Sequence, residues 1–198
     1  MTNRSWSIVA PPAGGAVTIN EAIAHSYIPE AEDTGLIVRL LEAAQAEFED
    51  LTNAACVTQT IEESFAGWPV TPHLSLSRWP LTAVEEIRYL PEVGEEVALS
   101  GSVWRADTIA EPGRVWLRSG QQWPTTALER GPSVTVRYRA GWALGATPAE
   151  IRSLILLAFG NLYENREAVV LQPGVTVAIL PHVKQRILNW RRVCVPDD

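Results

Sequence analysis

The residues that most often carry chemistry lie far apart in this 198-residue chain. The histidines are in three separate segments, and none has a partner at the spacing that places two metal ligands on one helix face: His25, His73 and His182. The two cysteines, Cys56 and Cys194, fit neither a metal-binding spacing nor a disulfide framework, so we expect reduced thiols. The sequence therefore predicts no metal site and no cofactor.

Two pairs of adjacent carboxylates, Glu62-Glu63 and Glu85-Glu86, remain as candidates for acid–base chemistry. Adjacent residues on a strand face opposite ways, so neither pair can form one site by itself. The sequence also has no glycine-rich phosphate loop and no nucleophile elbow. We predict that the protein is not an enzyme.

Tryptophan is the most conspicuous residue type, with eight copies. Five of them lie in or beside a predicted β region: Trp68, Trp79, Trp104, Trp116 and Trp123. We expect most of these rings to fill the core of a small sheet. Trp79 and Trp123 each precede a proline in a predicted loop, and we expect these two to be exposed contacts, at a protein interface or on a sugar-binding platform.

Charge is unevenly distributed over a chain of net charge −7. The segment from Glu30 to Glu63 has nine acids and one base, and its central acids lie on one predicted helix: Glu42, Glu47, Glu49 and Asp50. The segment His182–Arg192 has four basic residues and no acid. An acidic face and a basic tail suit head-to-tail packing of copies or a charged partner, although two solvated surfaces fit equally well. A chain of this charge lacks the broad basic surface needed to grip nucleic acid.

The length predicts one domain, or one domain with an insertion. No apolar run reaches the roughly 18–20 residues that cross a bilayer, and the start does not resemble a signal peptide, so we predict no membrane partner.

Periodicity divides the chain into helical ends and a β middle. A capping box at Thr18 and Glu21 opens a short helix, and Asp33 or Thr34 begins a second helix that extends to Thr52. Strand-like alternation follows from about residue 57 to 139.

Two more helices are predicted after the β region. Thr147 and Glu150 predict another capping box, and the apolar positions of this helix indicate that it is buried all round, in its own core or against another subunit. Pro181 begins a last helix with Val183, Ile187 and Trp190 on one face.

We therefore predict an α+β fold, with a helical bundle formed by the N- and C-terminal helix pairs and an inserted antiparallel β region. The expected parts are a flexible arm (1–16), a helical domain (17–56 and 145–190), the β insertion (57–144) and a C-terminal tail (191–198).

Several segments resemble the head–tail connector (adaptor) proteins of tailed bacteriophages and gene transfer agents. The strongest is Thr147–Val170, TPAEIRSLILLAFGNLYENREAVV, which is similar to the last long helix of that family. The segments Thr18–Ala22, Asp33–Thr52, Leu74–Tyr89 and Val134–Trp142 are similar to its earlier elements, in the same order. The resemblance covers roughly Val17 to Leu188. One departure is that the family's usual proline in the Leu74–Pro80 turn is displaced, so that Arg78 and Trp79 stand before Pro80.

The resemblance implies a structural protein of the particle neck, made in the cytoplasm of a bacterial host. It implies a ring of twelve copies under the portal protein, a tail-side stopper as a second partner, and DNA that passes through without sequence-specific binding. The C-terminal segment would dock on the portal, through Lys184, Arg186, Leu188, Trp190, Arg191 and Arg192. The alternative is that Ile187 and Trp190 only close the protein's own helical bundle. The acids of the second helix would face the channel or a neighbouring copy. Alternatives are a stopper or tail completion protein, which are typically shorter and richer in β-structure, and a tryptophan-rich carbohydrate-binding module.

Overall fold

The computed structural model describes residues 4–29, 33–165 and 181–194. The elements of that part of the chain are, in order, β1 (Arg4–Ala10), α1 (Ile19–Ser26), α2 (Thr34–Thr52), β2 (Gln59–Phe65), β3 (His73–Ser75), β4 (Leu81–Tyr89), β5 (Val97–Ala98), β6 (Trp104–Asp107), β7 (Arg114–Leu117), β8 (Val134–Ala140), α3 (Ala149–Glu164) and α4 (Pro181–Leu188). The predicted α+β class, with antiparallel strands, is confirmed.

The first two helices begin where the sequence predicts. The Thr18 hydroxyl accepts a hydrogen bond from the Glu21 backbone N–H, 3.3 Å away, and the Glu21 carboxylate accepts one from the Thr18 N–H, 2.8 Å away. This is the predicted capping box, which satisfies two backbone donors at the start of α1. Asp33 caps α2 by accepting a hydrogen bond from the N–H of Gly35 at 2.8 Å.

The start of α3 differs from the prediction. Thr147 is buried, and its hydroxyl donates to the carbonyl oxygen of Cys56 at 2.7 Å, so the predicted capping box with Glu150 is wrong. The N-cap residue is Pro148, which makes no side-chain cap. Thr147 instead joins the end of the β region to the segment after α2.

Residues of all four helices share one hydrophobic core. The largest fully buried side chains in it are Ile37, Phe48, Ile151, Leu154, Ile155, Phe159, Ile187 and Trp79. Burying each large apolar side chain stabilises the fold by roughly 1.5–3 kcal/mol. The expectation that α3 is buried all round is not met within this chain, because Leu157 remains 37% exposed.

The strands form two antiparallel sheets instead of a single one. The larger has the order β1-β2-β8-β4-β5, and the smaller has the order β3-β7-β6. A second core lies between them, built on Ile61, Leu76, Ile87, Val115, Val136 and Tyr138. The two cores meet near Gly141, where φ is +110° and an added Cβ would lie 2.5 Å from the Val57 carbonyl carbon, so the chain needs glycine there.

Part of the predicted flexible arm, residues 4–10, instead forms the strand β1. Residues 4–10 pair antiparallel with β2 from Arg4↔Phe65 to Ile8↔Ile61 and form an edge of the larger sheet. Alternation of Trp6 and Ile8 with serines is the strand signal, and the Pro11-Pro12 turn that follows obscured it.

Candidate interaction surfaces

The C-terminal segment, residues 189–194, is attached to the protein's own fold. The Arg192 backbone N–H donates to the Thr52 carbonyl oxygen at 3.1 Å, and Asn53 Nδ2 donates to the Arg192 carbonyl oxygen at 2.8 Å. The Arg192 side chain lies over the Trp79 ring at 5.0 Å and donates to Glu111 at 3.0 Å. Arg192 is therefore bound within the chain.

Trp79 is not an exposed contact, which corrects the prediction made from its position before Pro80. The side chain is 1% exposed, and its Nε1 donates to the Thr52 carbonyl oxygen at 2.9 Å. Its ring stacks on Trp190, with centroids 6.1 Å apart, and meets Trp142 edge-on at 5.5 Å. Trp190 is half-buried by this stack, so it closes the chain's own core, as Val183 and Ile187 do.

Three of the predicted docking residues face solvent. Lys184, Arg186 and Arg191 are exposed, and Leu188 is half-buried. Arg186 also lies 3.7 Å from Glu150, an ion pair whose members are each about half exposed. We call Lys184 and Arg191 the basic flank. Arg186 lies about 200° around α4 from Lys184 and faces Glu150 of α3 instead.

The four predicted acids of α2 do not form one face. Glu42 and Asp50 are exposed, and Asp50 lies 3.8 Å from the buried guanidinium of Arg78. Glu49 points inward, where it accepts hydrogen bonds from the Cys56 N–H at 2.9 Å and from Gln45 Nε2 at 3.1 Å. Burial raises the pKa of Glu49 above its ordinary value of 4.5, and these hydrogen bonds oppose the shift.

Glu47 lies on a different side of α2 from Glu42 and Glu49. Burial raises the pKa of its carboxyl, and the positive charge of Lys184 on α4 opposes that change. Five residues separate Glu42 from Glu47, which is about 140° around a helix axis at roughly 100° per residue. Glu47 therefore faces α4, and Glu42 lies on the opposite flank.

A groove of about 460 Å³ follows the Glu42 flank of α2. Its lining combines apolar residues with Glu42, Gln45 and Glu49, and includes Pro11, Pro12, Val17, Ile19, Val38, Leu41 and Ala46. Val38, Glu42, Gln45 and Glu49 repeat every three or four residues, so they share one side of the helix. Residues 11–19 form the other wall, and no basic residue lines the groove. We call this feature the α2 groove.

The acid at Glu63 is a buried structural group that sequence reasoning did not identify. Its side chain has no solvent exposure and forms an ion pair with Arg4 of β1. It also accepts hydrogen bonds from the Tyr138 hydroxyl at 2.8 Å and from the Ser77 N–H at 3.0 Å. Burial and the adjacent carboxylate raise the pKa of Tyr138 well above its ordinary value, which keeps its hydroxyl proton for this bond.

Trp123 is half-buried, so the prediction of an exposed contact is met only in part. Its ring stacks on Trp68 at 4.9 Å, and its Nε1 donates to the Thr71 carbonyl oxygen at 2.9 Å. Trp68 in turn meets Tyr89 edge-on at 5.6 Å. Trp123 and Trp68 therefore cover one face of each other within an aromatic cluster of the β region.

Among the described residues, no group of three histidine, cysteine or acidic side chains is placed to hold a metal ion. Within the same ranges, no helix combines the length and apolarity needed to span a membrane.

Comparison with solved structures gives a clear result for the fold. No protein-family model matches the chain, and no curated protein matches it. A chain from the neck of an empty gene transfer agent (GTA) particle, computed with C6 symmetry, superposes with a TM-score of 0.76 at 21% identity, covering 96% of this chain and 97% of that one. A chain from the virion of a native GTA particle gives 0.75 at 21% identity, with 96% of each chain covered. A chain from the neck of a native GTA particle, computed with C12 symmetry, gives 0.72 at 22% identity over 96% and 97% of the two chains. This chain shares the fold of these particle proteins over nearly its whole length.

Proposed function

We propose that this chain is a head–tail connector of the adaptor kind, a structural protein of the neck of a phage or gene transfer agent particle. The observation that carries the proposal is the shared fold with GTA neck proteins, which covers 96% of this chain. The ordered segments that resemble adaptor proteins support the same function.

In the proposed assembly, twelve copies form a ring beneath the portal protein. The solved necks were computed with C6 and C12 symmetry, and a twelvefold ring contains both. The helices that share the first core would act as one rigid bundle within each copy. The exposed side of α3 at Leu157 would then pack against a neighbouring copy.

The ring would continue the DNA channel toward the tail and its stopper. The net charge of −7 supports passage without binding, because phosphates are gripped by broad basic surfaces and repelled by acidic ones. Glu42 and Asp50 are the exposed acids of α2 that suit a channel or an interface between copies.

Portal docking by the C-terminal segment stays a prediction, and fewer of the six residues predicted for it are available to a partner. Trp190 and Arg192 are residue types that often anchor interfaces, but both are engaged within the chain. The basic flank, Arg186 and Leu188 remain as its contacts.

The experiment is cryo-electron microscopy of the neck in particles that carry this chain. We expect ring density that fits this fold directly below the portal, with the stopper on its tail side. A chain of this fold located below the stopper or in the tail tube would refute the adaptor role, and its absence from the particle would refute the neck function. Particles from a strain that lacks the gene should have DNA-filled heads without tails.

A further inference from the structure

Each copy of this chain has two complementary surfaces on opposite flanks of α2. The α2 groove is apolar, with Glu42 at its rim, Glu49 in its wall and no basic residue in its lining. The basic flank of α4 and the segment after it lies on the other flank, where Lys184 approaches Glu47. Residues 182–192 contain no acid. We propose that the basic flank of one copy docks in the α2 groove of the next, an inference that rests on the adaptor function proposed above.

The groove suits cationic side chains with long apolar stems. Its apolar walls would cover the methylene groups of lysine or arginine, and the carboxylate at the rim would pair with the charged end. Glu49 adds a second carboxylate to the groove wall, but Arg78 of the same chain already offsets part of its charge, so Glu42 is the main partner for an incoming cation. Lys184 and Arg191 provide such side chains, and the exposed Val193 adds apolar surface beside them.

A copy cannot fill its own groove in this way. The basic flank and the groove are separated by the body of α2, about 140° around its axis, and α4 is fixed by Val183 and Ile187 in the core. The surfaces can therefore meet only between copies. A contact between two different surfaces leaves one of each unfilled at the ends of any open chain, and a ring closes that series.

Charged groups lie on both sides of the proposed contact between copies. On the groove side, Glu42 is exposed and Glu49 accepts hydrogen bonds from Gln45 and Cys56. On the basic side, Lys184 lies near Glu47 of its own chain, and Arg191 is exposed. Glu42 and Arg191 are exposed positions at which charge can be reversed without breaking an ion pair described above.

A charge-swap experiment tests the contact in assembled particles. A strain lacking the gene is complemented with wild type, Glu42→Lys, Arg191→Glu or the double variant, and the ratio of this chain to portal is measured by quantitative mass spectrometry of purified particles. We expect each single variant to enter the neck at least about tenfold less than wild type, and the double variant to recover to within about threefold. The control is Glu95→Lys, which makes the same charge change at an exposed position between β4 and β5 and should enter normally.

The outcomes separate the contact from the function on which it rests. Wild-type chain absent from the neck would refute the proposed function. Normal entry of Glu42→Lys, with wild type present, would refute the groove contact alone. If both single variants fail to enter the neck and the double variant does not recover, the two surfaces bind different partners, such as the portal. That result would also overturn the proposal. Thermal melting of each purified variant within about 2 °C of wild type ensures that the comparison concerns folded protein.

Discussion

Replacing Trp190 with alanine tests whether the C-terminal segment packs on the protein's own core or is free to bind a partner. The Trp190 ring is half-buried and parallel to Trp79, with centroids 6.1 Å apart and planes within 1°. Truncating a fully buried tryptophan costs about 3–5 kcal/mol, and half burial reduces this to about 2 kcal/mol. Loss of the ring pair adds up to about 1 kcal/mol. We therefore expect Trp190→Ala to lower the free energy of unfolding by about 2–3 kcal/mol.

The assay is thermal unfolding of the purified full chain, followed by circular dichroism. For a chain of this size, about 2–3 kcal/mol corresponds to a midpoint lower by about 4–12 °C. Trp190→Phe keeps a ring on Trp79 and should lose less than half as much. Val193→Ala is the matched control, because Val193 is 57% exposed and its truncation should change stability by less than about 0.5 kcal/mol. A Trp190→Ala midpoint within 1 °C of wild type would show that the ring is unpacked in solution and available to a partner.

The other predictions concern three buried polar groups. Glu63→Gln removes the anion of the ion pair with Arg4, and breaking a fully buried pair costs about 3–5 kcal/mol. We expect the free energy of unfolding in urea to fall by about 2–3 kcal/mol, less than that figure because the Arg4 side chain is 21% exposed. An unchanged unfolding midpoint would contradict the role of this ion pair. Thr147→Val should cost about 1–2 kcal/mol by leaving a buried carbonyl unpaired, whereas Glu150→Ala, which removes the side chain that a capping box needs, should cost less than about 0.5 kcal/mol; equal losses would instead indicate the capping box. For Glu49, a pKa raised by burial means that its contribution to stability is fully present below its ordinary pKa of 4.5 and is lost as pH rises through the folded value. Glu49→Gln should therefore gain stability relative to wild type between pH 4 and pH 7 in thermal melts, and a relative loss over that range would refute the sign.

Features set by neighbours in sequence were predictable. The capping box of α1 needs only Thr18 and Glu21, three residues apart, and the apolar spacing of α2 fixes which of its sides is buried. The strand pattern from β2 to β8 follows from alternation in the same way.

Features that depend on distant partners were not predictable. Thr147 has the spacing of a capping residue, but its hydrogen-bond acceptor is the Cys56 carbonyl, 91 residues away. Trp79 precedes a proline in a loop, which favours exposure, yet the C-terminal segment covers it. An acidic residue on a strand is ordinarily solvated, and the buried place of Glu63 depends on Arg4, 59 residues earlier.

The ends of the described chain lie side by side. Arg4 Nη2 is 3.8 Å from Cys194 Sγ, and that thiol donates to the Leu76 carbonyl oxygen at 2.8 Å. A peptide that joins residue 4 to residue 194 would therefore be short, and new ends could be opened in the exposed turn at Gly94 without crossing either core. Such a circular permutant would move any fused reporter from the β1 edge of the larger sheet to its opposite edge, beside β5.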